Sequence, residues 1–323
     1  MAILMIKGKK ILVTGGAGFI GSHLVDRLLN GENTIIVYDN FDDFYKGKMQ
    51  NIQHNLQEKN FKLVKGDILN YEGLTSAMAG ADLVFHEAAQ CGIRYCINNP
   101  MKAHNVNVTG TLNVLMAAKQ IGVEKVVFAS SSGIFGAPHQ SPMDETHPTN
   151  PNSPYGVTKL AAEKYCLAFN KVYELNVVSL RYFSVYGPRG RPDQVIRAFT
   201  ATMSEDEEPR IFGDGSQTRD FTYVSDIVEA NVLAAECHDS TGQIFNIGYG
   251  KEFTINQVFT KIAEKLGKKD KIQPNYLETY KGEFPHTLAD TQKAQKILGW
   301  RPKVNLDQGL DMFVEWFLKC KKK

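Results

Sequence analysis

Short, continuous apolar runs alternate with amphipathic stretches along roughly the first 180 residues of the chain. Lys10-Ile11-Leu12-Val13-Thr14 is a β-branched run that stops at Gly15 and Gly16, and the stretch 18–30 then carries Phe19, Ile20, Leu24 and Leu28 at helical spacing. This pattern predicts strand, turn, helix. It continues with strands over 34–38, 61–65, 82–86, 125–130 and 176–180, and with helices over 71–78, 111–120 and 154–173. Apolar strands between amphipathic helices belong to a parallel sheet buried on both faces, because right-handed crossovers cover it with helices. The expected fold is α/β, with a doubly wound parallel sheet.

Past Arg181 the rhythm breaks into shorter pieces punctuated by Pro188, Pro192, Pro209, Pro274, Pro285 and Pro302. A length of 323 residues leaves room for a second, smaller lobe at about 150 residues per domain. Set over the carboxyl ends of the strands, such a lobe frames the crevice where an open α/β sheet binds its ligand. Segment 221–248 again reads as helix then strand, ending in Phe245-Asn246-Ile247, so the chain is expected to return to the first domain. The expected division is 1–181 plus roughly 220–248 for that domain, and 182–219 plus 249–323 for the C-terminal lobe.

Lys+Arg 37 against Asp+Glu 35 leaves a net charge of +2, too weak a field to draw the protein onto nucleic acid or anionic lipid. The basic tail from Lys319 to Lys323 reads as a solvated terminus. With 43% hydrophobic and 22% charged residues, the chain carries enough apolar surface to fold. Its cysteines, Cys91, Cys96, Cys166, Cys237 and Cys320, are odd in number, scattered and without a C-x-x-C, as expected of reduced thiols in a cytoplasmic protein. No apolar run approaches about 18 residues, and Lys7, Lys9 and Lys10 interrupt the N-terminal one, so no membrane span, signal peptide or anchor is expected.

Two constellations carry candidate chemistry. Gly15-Gly16-Ala17-Gly18-Phe19-Ile20-Gly21 lies between the first strand and helix: one glycine turns the chain, another lets backbone approach a pyrophosphate, a third lets helix and sheet pack. Asp39 closes the next strand, where a carboxylate can accept both ribose hydroxyls of an adenosine. Asp39 repels a 2′-phosphate, and its neighbours Asn40 and Phe41 add no cation, so NAD is favoured over NADP. The second constellation is Tyr155-Gly156-Val157-Thr158-Lys159, a phenol and an ammonium one helical turn apart, behind Ser153 as cap and Pro154 in the first turn. Ser130-Ser131-Ser132 ends the preceding strand on the same side of the sheet. A free tyrosine titrates near 10, and bringing it to about 7 takes about 4 kcal/mol of preferential stabilisation of the phenolate, a task assigned to Lys159 and a cationic nicotinamide.

These residues resemble the extended short-chain dehydrogenase/reductase superfamily, in particular its NAD-dependent nucleotide-sugar epimerase/dehydratase branch with a Rossmann-type sheet. The resemblance runs nearly end to end, through Gly66-Asp67-Ile68, His86-Glu87-Ala88-Ala89, Asn107, Ile134-Phe135-Gly136, the stretch from Arg181 to Pro188, Gly213-Asp214-Gly215 and Arg219-Asp220-Phe221. It implies that Asp67 and Ile68 contact adenine, that Ala88, Ala89, Asn107 and Ser130 border the dinucleotide, and that Tyr182 lies near the nicotinamide. It further implies Ser131, Tyr155 and Lys159 as catalytic residues, Ser132, Gly133 and Ser184 around the sugar, and Ile211, Phe212 and Arg219 at the base and diphosphate. Arg191 matches either a C6 carboxylate contact or a uridine-ribose or diphosphate contact. A homodimer through a four-helix bundle, formed by the helices at 111–120 and 154–173, is implied as well.

Dehydratases of this branch resemble one another in placing Asp-Glu after the catalytic Ser/Thr, whereas this chain has Ser132-Gly133. With no acid/base pair for elimination, oxidation and re-reduction at one carbon is the expected chemistry, and a UDP-sugar 4-epimerase the expected activity. Gly133 itself departs from the usual Ser or Thr and is expected to open space around the sugar. Tyr280 stands where related epimerases often present an arginine to the diphosphate, with Lys281 as a substitute. Thr287 aligns with a position that is tyrosine in epimerases restricted to plain hexoses and small in those accepting N-acetylhexosamines. The alternatives are a UDP-glucuronate 4-epimerase, suggested by Arg189-Gly190-Arg191-Pro192-Asp193 and Ser184, and a non-catalytic NAD-sensing protein. His86-Glu87-Ala88-Ala89-Gln90 lacks the second histidine of a zinc-protease helix, so no metal is expected. His104, His139, His147 and His286 read as solvated or packed.

Overall fold

The central apolar runs become strands buried on both faces, while the run at 61–65 forms a partly exposed edge strand. A computed structural model describes residues 6–279 and 284–321. Its strands are β1 (Lys10–Thr14), β2 (Thr34–Asp39), β3 (Phe61–Lys65), β4 (Leu83–His86), β5 (Lys125–Ser131), β6 (Val177–Tyr182), β7 (Ser184–Tyr186), β8 (Arg210–Phe212), β9 (Thr218–Tyr223), β10 (Ile244–Ile247), β11 (Glu252–Thr254) and β12 (Asn275–Leu277). The α-helices are α1 (Phe19–Leu29), α2 (Lys48–Ile52), α3 (Tyr71–Met78), α4 (Ile93–Asn98), α5 (Pro100–His104), α6 (Gly110–Ile121), α7 (Pro154–Tyr173), α8 (Val195–Ser204), α9 (Val224–Glu236), α10 (Ile255–Lys265), α11 (Gln292–Ile297) and α12 (Leu306–Lys321).

Seven strands form one parallel sheet in the order β10-β6-β5-β4-β1-β2-β3. Side chains alternate across it. Ile11, Val13, Val37, Phe85, Val127 and Leu180 face α1 and α9, while Leu12, Ile36, Val84, Val126 and Phe128 face α3, α6 and α7. Each such side chain, removed fully from water, contributes roughly 1.5–3 kcal/mol before entropy is counted. That double burial is why the strands read as unbroken apolar runs rather than as alternating ones. The chain winds outward from β1 to β3, then restarts at β4 on the other side, so the order reverses between β1 and β4. A crevice opens at the carboxyl ends of those two strands.

The later residues build a smaller unit on those carboxyl ends. A three-stranded sheet, β11-β9-β7, and the β8–β12 pair pack with α8, α10 and α12 around Tyr186, Phe199, Phe259 and Phe313. α10 starts at a full capping box between Thr254 and Gln257. β10 leaves this region and pairs with β6 in the main sheet. The short helices α2, α4 and α5 had no periodic signal in the sequence, being too brief to show one. All five cysteines are free thiols. Among the described residues, no helix is long and apolar enough to cross a membrane.

Candidate active site

The glycine turn after β1 sits against the end of β4 so tightly that only glycine fits. Gly15 has φ +69°, and a Cβ there would lie 2.7 Å from the Ala88 backbone; a Cβ on Gly21 would strike the Gly15 carbonyl oxygen. α1 then begins at Gly18, which has no side chain to cap the helix, and its first turn holds no acidic residue. An N-terminus left this way suits an anion. Asp39, at the end of β2 and buried, accepts one N–H bond on each oxygen, from Ala17 (3.1 Å) and Phe41 (2.8 Å), and the remaining lone pairs can accept from a ligand. Burial raises its pKa. Together these features fit a dinucleotide, with pyrophosphate at the turn and adenosine ribose at Asp39.

Gly15, Gly18, Phe19, Ile20, Gly21, Asp39, Asn40, Asp67, Ile68, Ala88 and Ala89 all line this cleft. Asn40 is fixed by donating to Asp67 at 2.9 Å. Two further residues expected beside the cofactor also bond within the protein. Asn107, in a π-bulge between α5 and α6, spends its amide on Gln90 N–H and C=O and on Thr158, so it braces the loop after β4. Ser130, in the wall of the adjoining cleft, donates to Glu163 at 2.7 Å. The sequence reading also missed a cation: Lys48 Nζ from α2 lies 4.0 Å from Asp39. Eight residues of intervening loop leave no pattern from which that approach could be inferred.

A second, larger cleft adjoins the first and is walled by the smaller unit. It is lined by Ser130, Ser131, Ser132, Gly133, Tyr155, Lys159, Tyr182, Ser184, Arg191, Ile211, Phe212, Arg219 and Thr287. Ser153 caps α7 by accepting from Gly156 N–H, as its sequence position suggests, which orients the first turn and Tyr155. Ser131, at the end of β5, lies on the same wall as Tyr155 and favours its phenolate. Lys159, one turn on, is buried, with Nζ 4.7 Å from the Phe128 ring centre, and burial lowers its pKa.

The lowering of the Tyr155 phenol is expected of Lys159 together with a cationic nicotinamide; the protein's own groups act on it in both directions. Desolvation raises Tyr155 well above an ordinary tyrosine, while the Ser131 hydroxyl and the Arg191 guanidinium pull the other way. Arg191 forms a two-pronged ion pair with Asp193, both contacts 3.0 Å. A Cβ on Gly133 would meet Ser131 Oγ at 3.4 Å and the Tyr155 ring at 3.5 Å, so its absence opens space beside the phenol. Thr287 is buried, and its hydroxyl lies 3.5 Å from the Asp220 N–H. The Asp220 carboxylate collects N–H groups from Tyr249, Gly250 and Ala289, anchoring this wall of the cleft. Arg219 donates to the carbonyls of Thr218 and Phe284. Arg94, not foreseen, stacks 3.7 Å over Phe212. Tyr280 and Lys281 lie outside the described residues.

A family model described as GDP-mannose 4,6 dehydratase matches residues 12–313. A putative UDP-glucose 4-epimerase from Methanocaldococcus jannaschii is 38% identical over 313 residues, covering 95% of this chain and 97% of that protein. The UDP-N-acetylglucosamine 4-epimerase of Methanobrevibacter ruminantium M1, solved with UDP-N-acetylmuramic acid, superposes with a TM-score of 0.91 at 34% identity, over 98% of this chain and all of the other. UDP-glucuronic acid 4-epimerase from Bacillus cereus, solved with UDP-glucuronic acid and NAD, gives a TM-score of 0.91 at 35% identity, covering 96% of this chain and 99% of the other. With the glycine turn, Asp39 and the Ser131/Tyr155/Lys159 constellation in place, this end-to-end likeness means that the chain is an enzyme of the NAD-dependent nucleotide-sugar epimerase/dehydratase family of extended short-chain dehydrogenases/reductases.

Proposed function

We propose that the protein is a UDP-sugar 4-epimerase that interconverts UDP-glucose with UDP-galactose and also UDP-N-acetylglucosamine with UDP-N-acetylgalactosamine. The observation that carries this reading is Tyr155 in the wall of the larger cleft with Ser131 and Lys159, beside Gly133 instead of an acid pair. Bound NAD would supply one thing, a site that takes hydride from C4 and gives it back. The chain does the rest. Tyr155 accepts the proton of the 4-hydroxyl as hydride leaves C4, Ser131 shares that hydrogen bond, and Tyr155 returns the proton when hydride is delivered to the opposite face. Lys159 and Arg191 supply the positive potential that a recessed phenolate needs, and the closed walls hold the 4-keto sugar while it turns. Gly15, Gly18, Gly21 and Asp39 hold the cofactor; Ile211, Phe212 and Arg219 hold the nucleotide. In this reading 1–181 plus roughly 220–248 form the cofactor domain, and 182–219 plus 249–323 the substrate lobe.

Sugar size is proposed to be read at Thr287. An N-acetyl group sweeps extra volume as the sugar presents both faces, and a threonine leaves that volume open where a phenol fills it. Purified protein assayed by chromatography should interconvert both the plain and the N-acetyl pairs. Thr287→Tyr should suppress the N-acetyl pair much more than the plain pair, because overpacking penalises the larger substrate. Equal losses, or a wild type inactive on the N-acetyl pair, remove Thr287 as the gate. UDP-glucuronate is the second reading, favoured by Arg191 in the sugar cleft. The Asp193 carboxylate already paired with that guanidinium supports the uncharged sugars first. Turnover of UDP-glucuronate above the other substrates in the same assay reverses that order.

The homodimer is proposed to form across α6 and α7, which leave Met116, Val157, Tyr165, Val172 and Tyr173 at least 40% exposed. Sedimentation should give twice the monomer mass. Monomers at micromolar concentration would remove this surface as the interface.

A further inference from the structure

One ionisable group in the cleft has no role in the chemistry above. Glu87 directly follows β4 and is among the few residues that line both clefts. Strand order places it between the glycine turn after β1 and Ser131 at the end of β5. It therefore stands between the pyrophosphate position and the reacting end. The turn presses against it: a Cβ on Gly15 would lie 3.0 Å from the Glu87 carbonyl carbon.

The carboxyl is held on one side only. Its Oε1 accepts the Tyr182 hydroxyl at 2.8 Å, and Tyr182 in turn takes a 2.7 Å hydrogen bond from Asn231 of α9. No donor among the described residues takes the second oxygen. The titratable groups facing it are Tyr182 from β6 and Lys159 from α7; the glycine turn is uncharged, Asn231 is neutral, and the following loop brings the Cys91 thiol to the same floor. Desolvation pushes the carboxyl up to about 7, against the opposing pulls of Tyr182 and Lys159. With its folded value raised above the ordinary 4.5, this group supports the cofactor-free fold at low pH and loses that contribution as pH rises toward 7. A carboxyl so placed is poised between its two forms and answers to any charge brought beside it.

We propose that Glu87 sets the redox poise of the bound cofactor: its carboxylate favours the cationic, oxidised nicotinamide over the neutral, reduced one. The inference rests on NAD occupying the first cleft. Its consequence is that hydride is returned to the keto sugar instead of remaining on the cofactor, so each cycle ends with the enzyme ready to start another. The proton balance is explicit. On NAD binding the Glu87 carboxyl gives its proton to solvent and the carboxylate faces the cation; on NADH binding the carboxyl keeps its proton.

NAD and NADH share every binding element except the ring charge, so comparing them isolates this effect. Calorimetric titration of cofactor-stripped protein, in buffers of differing ionisation enthalpy at about pH 6.5, near the proposed titration, measures the protons released. Wild type should release more protons with NAD than with NADH, and its NAD/NADH affinity ratio should rise as pH increases through neutrality. Glu87→Gln keeps an oxygen for Tyr182 and removes the charge; it should abolish the extra release and shift the affinity ratio toward NADH about tenfold, the equivalent of one pKa unit. Extra release that persists in Glu87→Gln assigns the proton to Tyr155 or Lys159, which feel the same cation, and overturns the proposal. So does an unchanged affinity ratio. Failure of wild type to bind either cofactor overturns the cofactor assignment itself and is distinguished by the absence of any binding heat.

Discussion

Tyr155→Phe should lose at least about two orders of magnitude in turnover, the scale of general acid/base catalysis, while NAD still binds. The substitution removes one oxygen and keeps the ring. Ser131 still accepts the Gly133 N–H at 3.1 Å, so the end of β5 keeps its local bond. The glycine turn and Asp39, at the other end of the cofactor cleft, are untouched. What disappears is the group that takes the 4-hydroxyl proton as hydride leaves, and without it an alkoxide must form unaided. Turnover measured chromatographically on UDP-glucose, set beside calorimetric NAD affinity, separates the two effects. Near-normal turnover would sink the assignment, and so would a loss traced wholly to weaker cofactor binding.

The second large effect lies behind the catalytic helix. Glu163, on α7 one turn past Lys159, is fully buried and paired with Arg181 of β6, which is 2% exposed. Arg181 reaches both carboxylate oxygens, at 3.0 and 2.8 Å, and also the Glu145 carbonyl at 3.1 Å; Ser130 of β5 donates to the same carboxylate. Three elements are thus tied at one point, directly beneath the residues that carry Ser131, Tyr155 and Tyr182. Arg181→Met leaves Glu163 as a buried charge without its cation. The expected loss is about 3–5 kcal/mol, readable in thermal unfolding as a fall in Tm on the order of 10 °C. Adding Glu163→Leu to Arg181→Met should recover much of that loss, since an apolar pair of similar volume needs no desolvation of charge. A single variant within about 1 kcal/mol of wild type, the range of exposed pairs, would show that this buried pair does not hold α7 against the sheet.

Taken alone, the sequence determined the features whose physics is local. Strand runs, helical spacing, the cap at Ser153 and the proximity of Tyr155 to Lys159 all follow from neighbours within one or two turns, as does the need for glycine between β1 and α1. Two-sided burial left its mark in the unbroken apolar strands, and the segment ending in Phe245-Asn246-Ile247 carried enough pattern to suggest its return to the main sheet. Tertiary structure alone decided which polar groups meet. Glu87 and Tyr182 are 95 positions apart, Ser130 and Glu163 are 33 apart, and Asn107 reaches Thr158 across 51. Nothing in their own neighbourhoods selects those partners. Lys48 approaches Asp39 through a loop without periodicity, and Tyr155 is pushed up by walls that the folded chain assembles around it. Periodicity records where water is excluded; which charge or hydrogen bond answers that exclusion depends on strand order and packing, which no short stretch of the chain encodes.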